Sequence, residues 1–173
     1  MNYCSACGAP MKTVDWPHEC RACAAVFYRN PTSVAILLLS TDKLVDGRNR
    51  KGVLIGRRPQ NGIADTPWAL IGGFVECSDQ TIESAAIREC MEETGIDTTR
   101  CGVRMVDSAA TPNNQMLILC QANWPSSEEE LLAEFVPSAE ILEVKIVYAP
   151  CELAFPLHTR FLKEFFWRID PTL

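Results

Sequence analysis

The 173-residue chain has no run long and apolar enough to cross a bilayer: its longest apolar stretch, VAILLL from Val34 to Leu39, falls far short of the ~20 residues a spanning helix needs. Its opening, MNYCSACGAP, carries no charged region followed by an apolar run of the secretory kind, so a cytoplasmic protein without a membrane partner is expected. Positive charge is scarce as well. With 16 Lys and Arg against 22 Asp and Glu, the net charge is -6 and the pI near 5.0, a poor balance for neutralising the phosphates of a nucleic acid. There is no internal repeat or low-complexity tract, and the four tryptophans form no ladder for stacking bases. The nine cysteines are odd in number, and in a reducing compartment they build no disulfide framework, which leaves metal ligation for those that cluster.

The residues that are present describe a folded protein. Hydrophobic residues make up 47% and charged residues 22%, and the length suits one main domain with a small appendage. Cys4, Cys7, Cys20 and Cys23 form C-x2-C-x12-C-x2-C, in which two tight knuckles each offer two thiolates to one tetrahedral Zn²⁺. His18 stands close enough to compete as a ligand. A closed four-thiolate site leaves no open position for water or substrate, so the zinc is structural, and residues 1–30 are read as a zinc ribbon too small to fold by burial alone.

Beyond Pro31 the texture changes. TSVAILLLS and GVLIGRRP read as strands, with polar TDKLVDGRNRK between them as an exposed hairpin loop, and PWALIGGFVE as a third strand ending near a glycine pair. Thr81 to Thr94 reads as a helix, with Ser78 or Asp79 as N-cap and Gly95 closing it. VRMVDSA, QMLILCQA and EVKIVYA follow as strands, SSEEELLAEF as a helix capped by Ser127 and Glu130, and HTRFLKEFFWRI as a closing amphipathic helix. Without an even βαβ rhythm, the expectation is an α+β domain over 31–173, a mixed sheet sandwiched by helices.

On the central helix Glu89, Glu92 and Glu93 stand at i, i+3 and i+4, within one arc, and the single Arg88 cannot neutralise all three. Like charges at this spacing cost roughly 0.2 to 0.5 kcal/mol each when exposed and more when partly buried. Either water screens them, as on an ordinary acidic surface, or a cation does. The Gly72-Gly73 pair favours the cation, because a bare backbone there lets a main-chain carbonyl join carboxylates around a hard divalent ion that in turn grips phosphate.

Gly73 to Ile96, GFVECSDQTIESAAIRECMEETGI, resembles the Nudix box, G-x5-E-x7-R-E-U-x-E-E-x-G-U. RECMEETGI fits every fixed position. Arg88 comes one residue late, the early glutamate falls on Asp79 or Gln80, and Ile71 stands where many relatives carry proline. A zinc ribbon followed by this domain is similar to the Nudix branch containing NADH and ADP-ribose pyrophosphatases. That resemblance implies a pyrophosphohydrolase acting on a small nucleotide substrate, with Mg²⁺ or Mn²⁺ held by Glu89, Glu93 and the Gly72 carbonyl. It implies that Glu92 shares in metal binding or in activating water, and that Arg88 orients a catalytic glutamate. EILEVKIVY is similar to the strand bearing a late acidic ligand, which points to Glu143, with Glu140 as the fallback. Phe74 matches an aromatic that stacks on a base, or else packs in the core, and Glu76 matches a supporting carboxylate or a polar strand end. Homodimerisation is a further expectation from the resemblance.

The aromatic-rich signature that marks NADH specificity is replaced here by DSAATPNNQMLILC, which keeps only Ser108 and Pro112 in common with it and leaves ADP-ribose, FAD and related dinucleotides open. A non-catalytic Nudix-like sensor that binds such a ligand is the alternative reading. His158, at the start of the closing helix, either touches substrate or simply begins the helix. The five scattered cysteines read as buried packing.

Overall fold

VAILLL is buried on both faces, and its alternation shows why. In the computed structural model, which describes residues 2–11, 15–45, 47–59 and 67–172, the side chains of Ala35, Leu37 and Leu39 enter one core and those of Ile36 and Leu38 enter another on the opposite side. A strand apolar at every position requires cover on both faces.

The chain divides into two units, Met1–Pro31 and Thr32–Leu173. The first holds two short antiparallel pairs, β1 (Asn2–Tyr3) with β2 (Pro10–Met11) and β3 (His18–Glu19) with β4 (Val26–Phe27). Each pair encloses a matching knuckle: Gly8 N–H donates to the Cys4 carbonyl and Ala24 N–H to that of Cys20, both at 2.8 Å. Residues 12–14 of the expected ribbon lie outside the described residues.

In the second unit, β5 (Thr32–Val45) is the central strand of a mixed seven-stranded sheet that also contains β6 (Arg48–Arg57), β7 (Trp68–Ala69), β8 (Ile71–Phe74), β9 (Arg104–Ala110), β10 (Gln115–Asn123) and β11 (Glu143–Val147). The main path runs β11-β6-β5-β10-β9. Among the described residues only β5 and β10 run parallel. On one face α1 (Ile82–Thr94) buries Ala85, Ala86 and Cys90 against Leu37 and Leu54, and α2 (Glu128–Ala133) adds Leu131. On the other face α3 (Pro156–Ile169) buries Phe161, Leu162, Phe165 and Phe166 against Ile36, Leu38 and Ile55. Each such side chain contributes roughly 1.5 to 3 kcal/mol by leaving water. The expected helix-covered mixed sheet is therefore observed. Among the described residues no helix is long and apolar enough to cross a membrane.

Three local expectations are corrected. The polar segment Thr41–Lys51 is not an open loop, because β5 and β6 continue through it. Asp42 sits opposite Lys51 at 2.7 Å and also accepts from Asn49, so cross-strand ion pairing carries the ladder into solvent; Asp46 lies outside the described residues. The N-cap of α1 is Thr81 rather than Ser78 or Asp79, with Thr81 and Ser84 exchanging side-chain to backbone bonds at 3.1 and 3.0 Å. PWALIGGFVE is two strands: β7 pairs with β6, and β8 with β5. The chain changes partner at Leu70, and the Leu70 amide donates instead to His158 Nδ1 at 3.2 Å.

Gly72 follows this switch with φ of +147°, and an added Cβ would overlap the Ala35 carbonyl oxygen and lie 2.8 Å from Ile36 Cα. Both obstacles are backbone of the central strand, so neither can turn aside. Gly72→Ala is expected to cost at least about 2 kcal/mol of stability, measured by urea denaturation. A variant as stable as the wild type would show that the bend relaxes.

Candidate active site

Helix α1 brings its acids up to the glycine bend one by one. Glu93, the penultimate residue of α1, is 3% exposed, and its Oε2 accepts from Gly72 N–H at 3.1 Å. Glu89, 13% exposed in its side chain, lies so close to Gly73 that a Cβ there would meet its carboxylate. This explains the second glycine. Glu92 is 59% exposed and turned toward solvent.

Arg88 organises the group. Its Nε and one terminal nitrogen grip both oxygens of Asp79 at 3.0 and 2.9 Å, its other nitrogen donates to Glu89 and Glu92 at 2.9 Å each, and the Phe74 carbonyl takes a further bond at 2.9 Å. A two-point guanidinium–carboxylate contact fixes orientation as well as charge. Asp79 is thus the anchor of Arg88 rather than a helix cap. The Arg88 partnership holds the Asp79 carboxyl below its usual range, and Asp79 in turn raises Arg88.

The opposing effects on Glu93 can be ranked. Arg58 reaches to 3.6 Å and the Gly72 amide is bonded, yet desolvation wins and pushes Glu93 up to about 7, helped by the charges of Glu140 and Glu89. Glu89 is also raised, by desolvation first, against the pull of Arg88.

Beside this group opens a cavity of about 630 Å³. Gly72, Gly73, Phe74, Arg58 and Glu140 form part of its wall, with Val34, Ile36, Leu117 and Leu157 supplying apolar surface and Thr111, Asn113 and Gln115 polar edges. Phe74, 55% exposed, shows its ring here rather than in the core.

Not every expected residue arrives. Glu143 projects from β11 to Arg57 at 2.8 Å, with its side chain 55% exposed and outside the cavity wall. Glu140 is the late acid that the fold brings near α1, bridged through Arg58 at 3.8 Å. The reason is register: Glu143 sits opposite Arg57, while Glu140 lies in the turn before β11. Glu76 lies in the exposed turn after β8, accepting from Ser78 Oγ at 3.3 Å. Arg58 was not singled out by the sequence; its place at the end of β6, level with the acidic helix, becomes visible only once the strands pair.

In the first unit Cys4 and Cys23 Sγ are 3.8 Å apart, as are Cys7 and Cys20. A tetrahedron with Zn–S bonds of about 2.3 Å has edges of about 3.8 Å. All four sulfurs lie within 4.8 Å of one another, and His18 is not among them. Backbone amides of Ala22 and Cys23 lower the Cys20 thiol to about 7, favouring the thiolate that ligates metal. Among the described residues, no set of three or more carboxylates comes together this tightly.

Residues 30–166 match the model of the NUDIX domain. Among curated proteins, the NAD-capped RNA hydrolase NudC of Salmonella heidelberg (strain SL476) is 30% identical over 131 residues, which cover 73% of this chain and 45% of that protein. NudC of Salmonella typhi gives the same identity and coverage. The chain therefore spans about half the length of the curated relatives it matches. Among solved structures, a NUDIX hydrolase from Nitrosomonas europaea superposes with a TM-score of 0.59 at 23% identity, over 96% of this chain and 90% of that one. The NUDIX domain of Shewanella oneidensis NrtR, complexed with ADP ribose, gives 0.58 at 17% over 81% and 89%. At these identities the structural likeness speaks to the fold alone.

The Glu93 geometry sets a pH dependence. The folded protein keeps this proton up to about pH 7, whereas the unfolded chain releases it near 4.5, so the folded state binds more protons between these values and loses stability as pH rises through them. The loss is about 3 kcal/mol, order of magnitude. Glu93→Gln keeps an acceptor for Gly72 N–H without the charge, so without added divalent metal the variant should gain on the wild type between about pH 5 and about pH 8. Thermal melts that stay parallel across this range would refute the assignment.

Proposed function

Because the chain belongs to the Nudix hydrolase family, we propose that it is a divalent-metal-dependent pyrophosphohydrolase that cleaves the diphosphate joining a nucleoside to a second moiety, of the dinucleotide or ADP-ribose type. The carrying observation is the burial of Glu93 and Glu89 against the Gly72-Gly73 backbone at the rim of a cavity large enough for a nucleotide half. Five carboxylates, Asp79, Glu89, Glu92, Glu93 and Glu140, face two guanidiniums, Arg58 and Arg88. The excess is negative where a diphosphate must sit, and the donors are hard oxygens, a set suited to Mg²⁺ or Mn²⁺.

Glu89, Glu92 and Glu93 with the Gly72 carbonyl would hold the ion, and Glu140 rather than Glu143 is the late acid proposed to join them. When bound, the cation supplies charge neutralisation of the diphosphate and a lowered pKa for attacking water. The remaining roles belong to the chain. Arg88, pinned by Asp79, holds Glu89 and Glu92 in line, so that the carboxylates keep their places while repelling one another. Glu93, buried against the Gly72 amide, would give up its proton on taking the ion. Arg58, beside Glu93 and Glu140 in the cavity wall, offers a cation to a phosphate oxygen. Phe74 presents an aromatic face for a base or nicotinamide ring. In the first unit Cys4, Cys7, Cys20 and Cys23 are proposed to hold one structural Zn²⁺.

The competing reading, a domain that binds such a ligand without cleaving it, draws on the arginine contacts that already occupy Glu89 and Glu92. One assay separates the two. Incubation of ADP-ribose, NADH, FAD and an NAD-capped RNA with Mg²⁺ or Mn²⁺, with products identified by mass, should yield a nucleoside monophosphate from at least one of them. Glu93→Gln should lower kcat by about two orders of magnitude or more with the fold intact. Binding without any product would favour the sensor. Elemental analysis should find one zinc per chain, absent from a Cys20→Ser variant; a zinc-free wild type would remove the proposed ribbon metal.

A further inference from the structure

The cavity contains a hydrogen-bond donor that the cleavage chemistry does not use. His158, the third residue of α3, is 5% exposed and lines the cavity. Its Nδ1 accepts from Leu70 N–H at 3.2 Å, and a ring nitrogen that accepts from an amide cannot carry the proton of a neutral imidazole. The proton is therefore on Nε2. Among the described residues Nε2 has no protein partner, yet it is not one of the sealed, unpaired side-chain atoms, which are Thr41 Oγ1, Thr98 Oγ1, Trp124 Nε1 and Arg160 Nε. An unpaired nitrogen that retains access, on a residue otherwise enclosed, opens into the cavity the residue lines.

We infer that His158 Nε2–H is a specificity-determining donor that reads a hydrogen-bond acceptor on the ring-bearing half of the ligand, while the diphosphate lies toward Arg58 and the glycine bend. This rests on the nucleotide reading above and adds to it which half of the molecule enters the cavity. Three observations support the choice of a ring. Much of the wall that His158 shares is apolar, with Ile36, Leu117 and Leu157 in it. Two aromatic side chains lie uncovered at this wall, Phe74 at 55% and Phe155 at 43% exposure, and the Phe155 ring packs against the imidazole with centroids 4.9 Å apart. The donor is uncharged: burial first, then nearby Arg58, pushes His158 down to about 3, so it suits a carbonyl oxygen or ring nitrogen rather than a phosphate. A ligand lacking that acceptor would leave a buried N–H unpaired, and a site built to bond a polar atom rejects such analogues more strongly than an apolar pocket rejects a misfit.

Two substitutions separate ligand reading from a purely structural role, because each keeps one nitrogen's function. His158→Asn retains an acceptor for the Leu70 amide and loses the far donor. His158→Gln retains a donor at the Nε2 position and loses the acceptor. Binding of ADP-ribose and of NADH is measured by calorimetry with Ca²⁺ in place of Mg²⁺, so that the acidic end is screened by a cation of hard-oxygen preference, and the melting temperature of each variant is recorded. His158→Asn should weaken the better of the two ligands about tenfold with little change in melting temperature, and His158→Gln should melt lower yet bind within about twofold of wild type. Equal binding by His158→Asn and wild type overturns the inference. So does a parallel loss of binding and stability in both variants, which would mark the histidine as wall structure. If the wild type binds neither ligand, the cavity does not hold such a ring and the inference also falls. A wild type that binds but releases no product with Mg²⁺ defeats the hydrolase reading and leaves the binding ratios to judge His158.

Discussion

A carboxylate shut away from water beneath a bent backbone is the constraint around which this domain is arranged. Glu93 at 3% exposure receives one amide bond from Gly72 and a distant arginine, too little to repay its desolvation, so its proton is held to about pH 7. Keeping an acid in such a place requires the surroundings to be rigid. The glycine bend supplies room because its neighbours on the central strand leave none for a side chain, and the helix supplies aim because its cap and its Gly95 terminus fix where each turn falls. Glu89 and Glu92 share the requirement to a lesser degree, and Arg88 settles them by taking both while itself held two-point by Asp79.

The same short segment is grasped from the other side of the sheet. Leu70 is the residue at which the chain leaves β6 for β5, and its amide, free of the ladder, goes to His158 on α3; two residues later the Gly72 amide goes to Glu93 on α1. The helices lie on opposite faces, with separate cores, and both hydrogen-bond the partner-switching strand. A break in strand pairing leaves backbone donors that must be satisfied. Here the satisfying groups are His158, in the cavity wall, and Glu93, on the acidic helix beside it, so the break in the ladder ties the strand to both helices at the candidate site.

The sequence made the large elements legible because their signals are local. The unbroken apolar run VAILLL, a Gly- and Pro-free stretch ending at Gly95, and the amphipathic HTRFLKEFFWRI each carry a local signal, and the cysteine knuckles carry their own spacing. What was misread depended on partners far along the chain. Asp79 reads as a cap by itself and becomes an anchor only with Arg88 folded back onto it; Asp42 and Lys51 read as loop until they face each other across β5 and β6. Glu143 and Glu140 cannot be told apart by pattern, because the choice depends on the register that places Glu143 against Arg57. Arg58 and Phe155 gave no signal of their own, being ordinary residues that the topology makes neighbours of the acids and of the imidazole.

The electrostatic division of the cleft follows from these placements. At the glycine bend, acidic groups outnumber arginines, and a diphosphate alone would be repelled; in the proposed reading a divalent cation would reverse the sign locally and leave Arg58 to complement it. A few residues away the wall is apolar, and its buried imidazole stays neutral because any charge there would be desolvated and would face Arg58. On the proposed reading, charge recognition and ring recognition would fall at different parts of one cavity, and each would penalise the other's ligand group: a phosphate pressed into the apolar wall would lose its solvation, while an uncharged ring at the acids would leave their repulsion unrelieved. Orientation of a two-headed ligand follows from that difference without requiring a dedicated clamp for each atom.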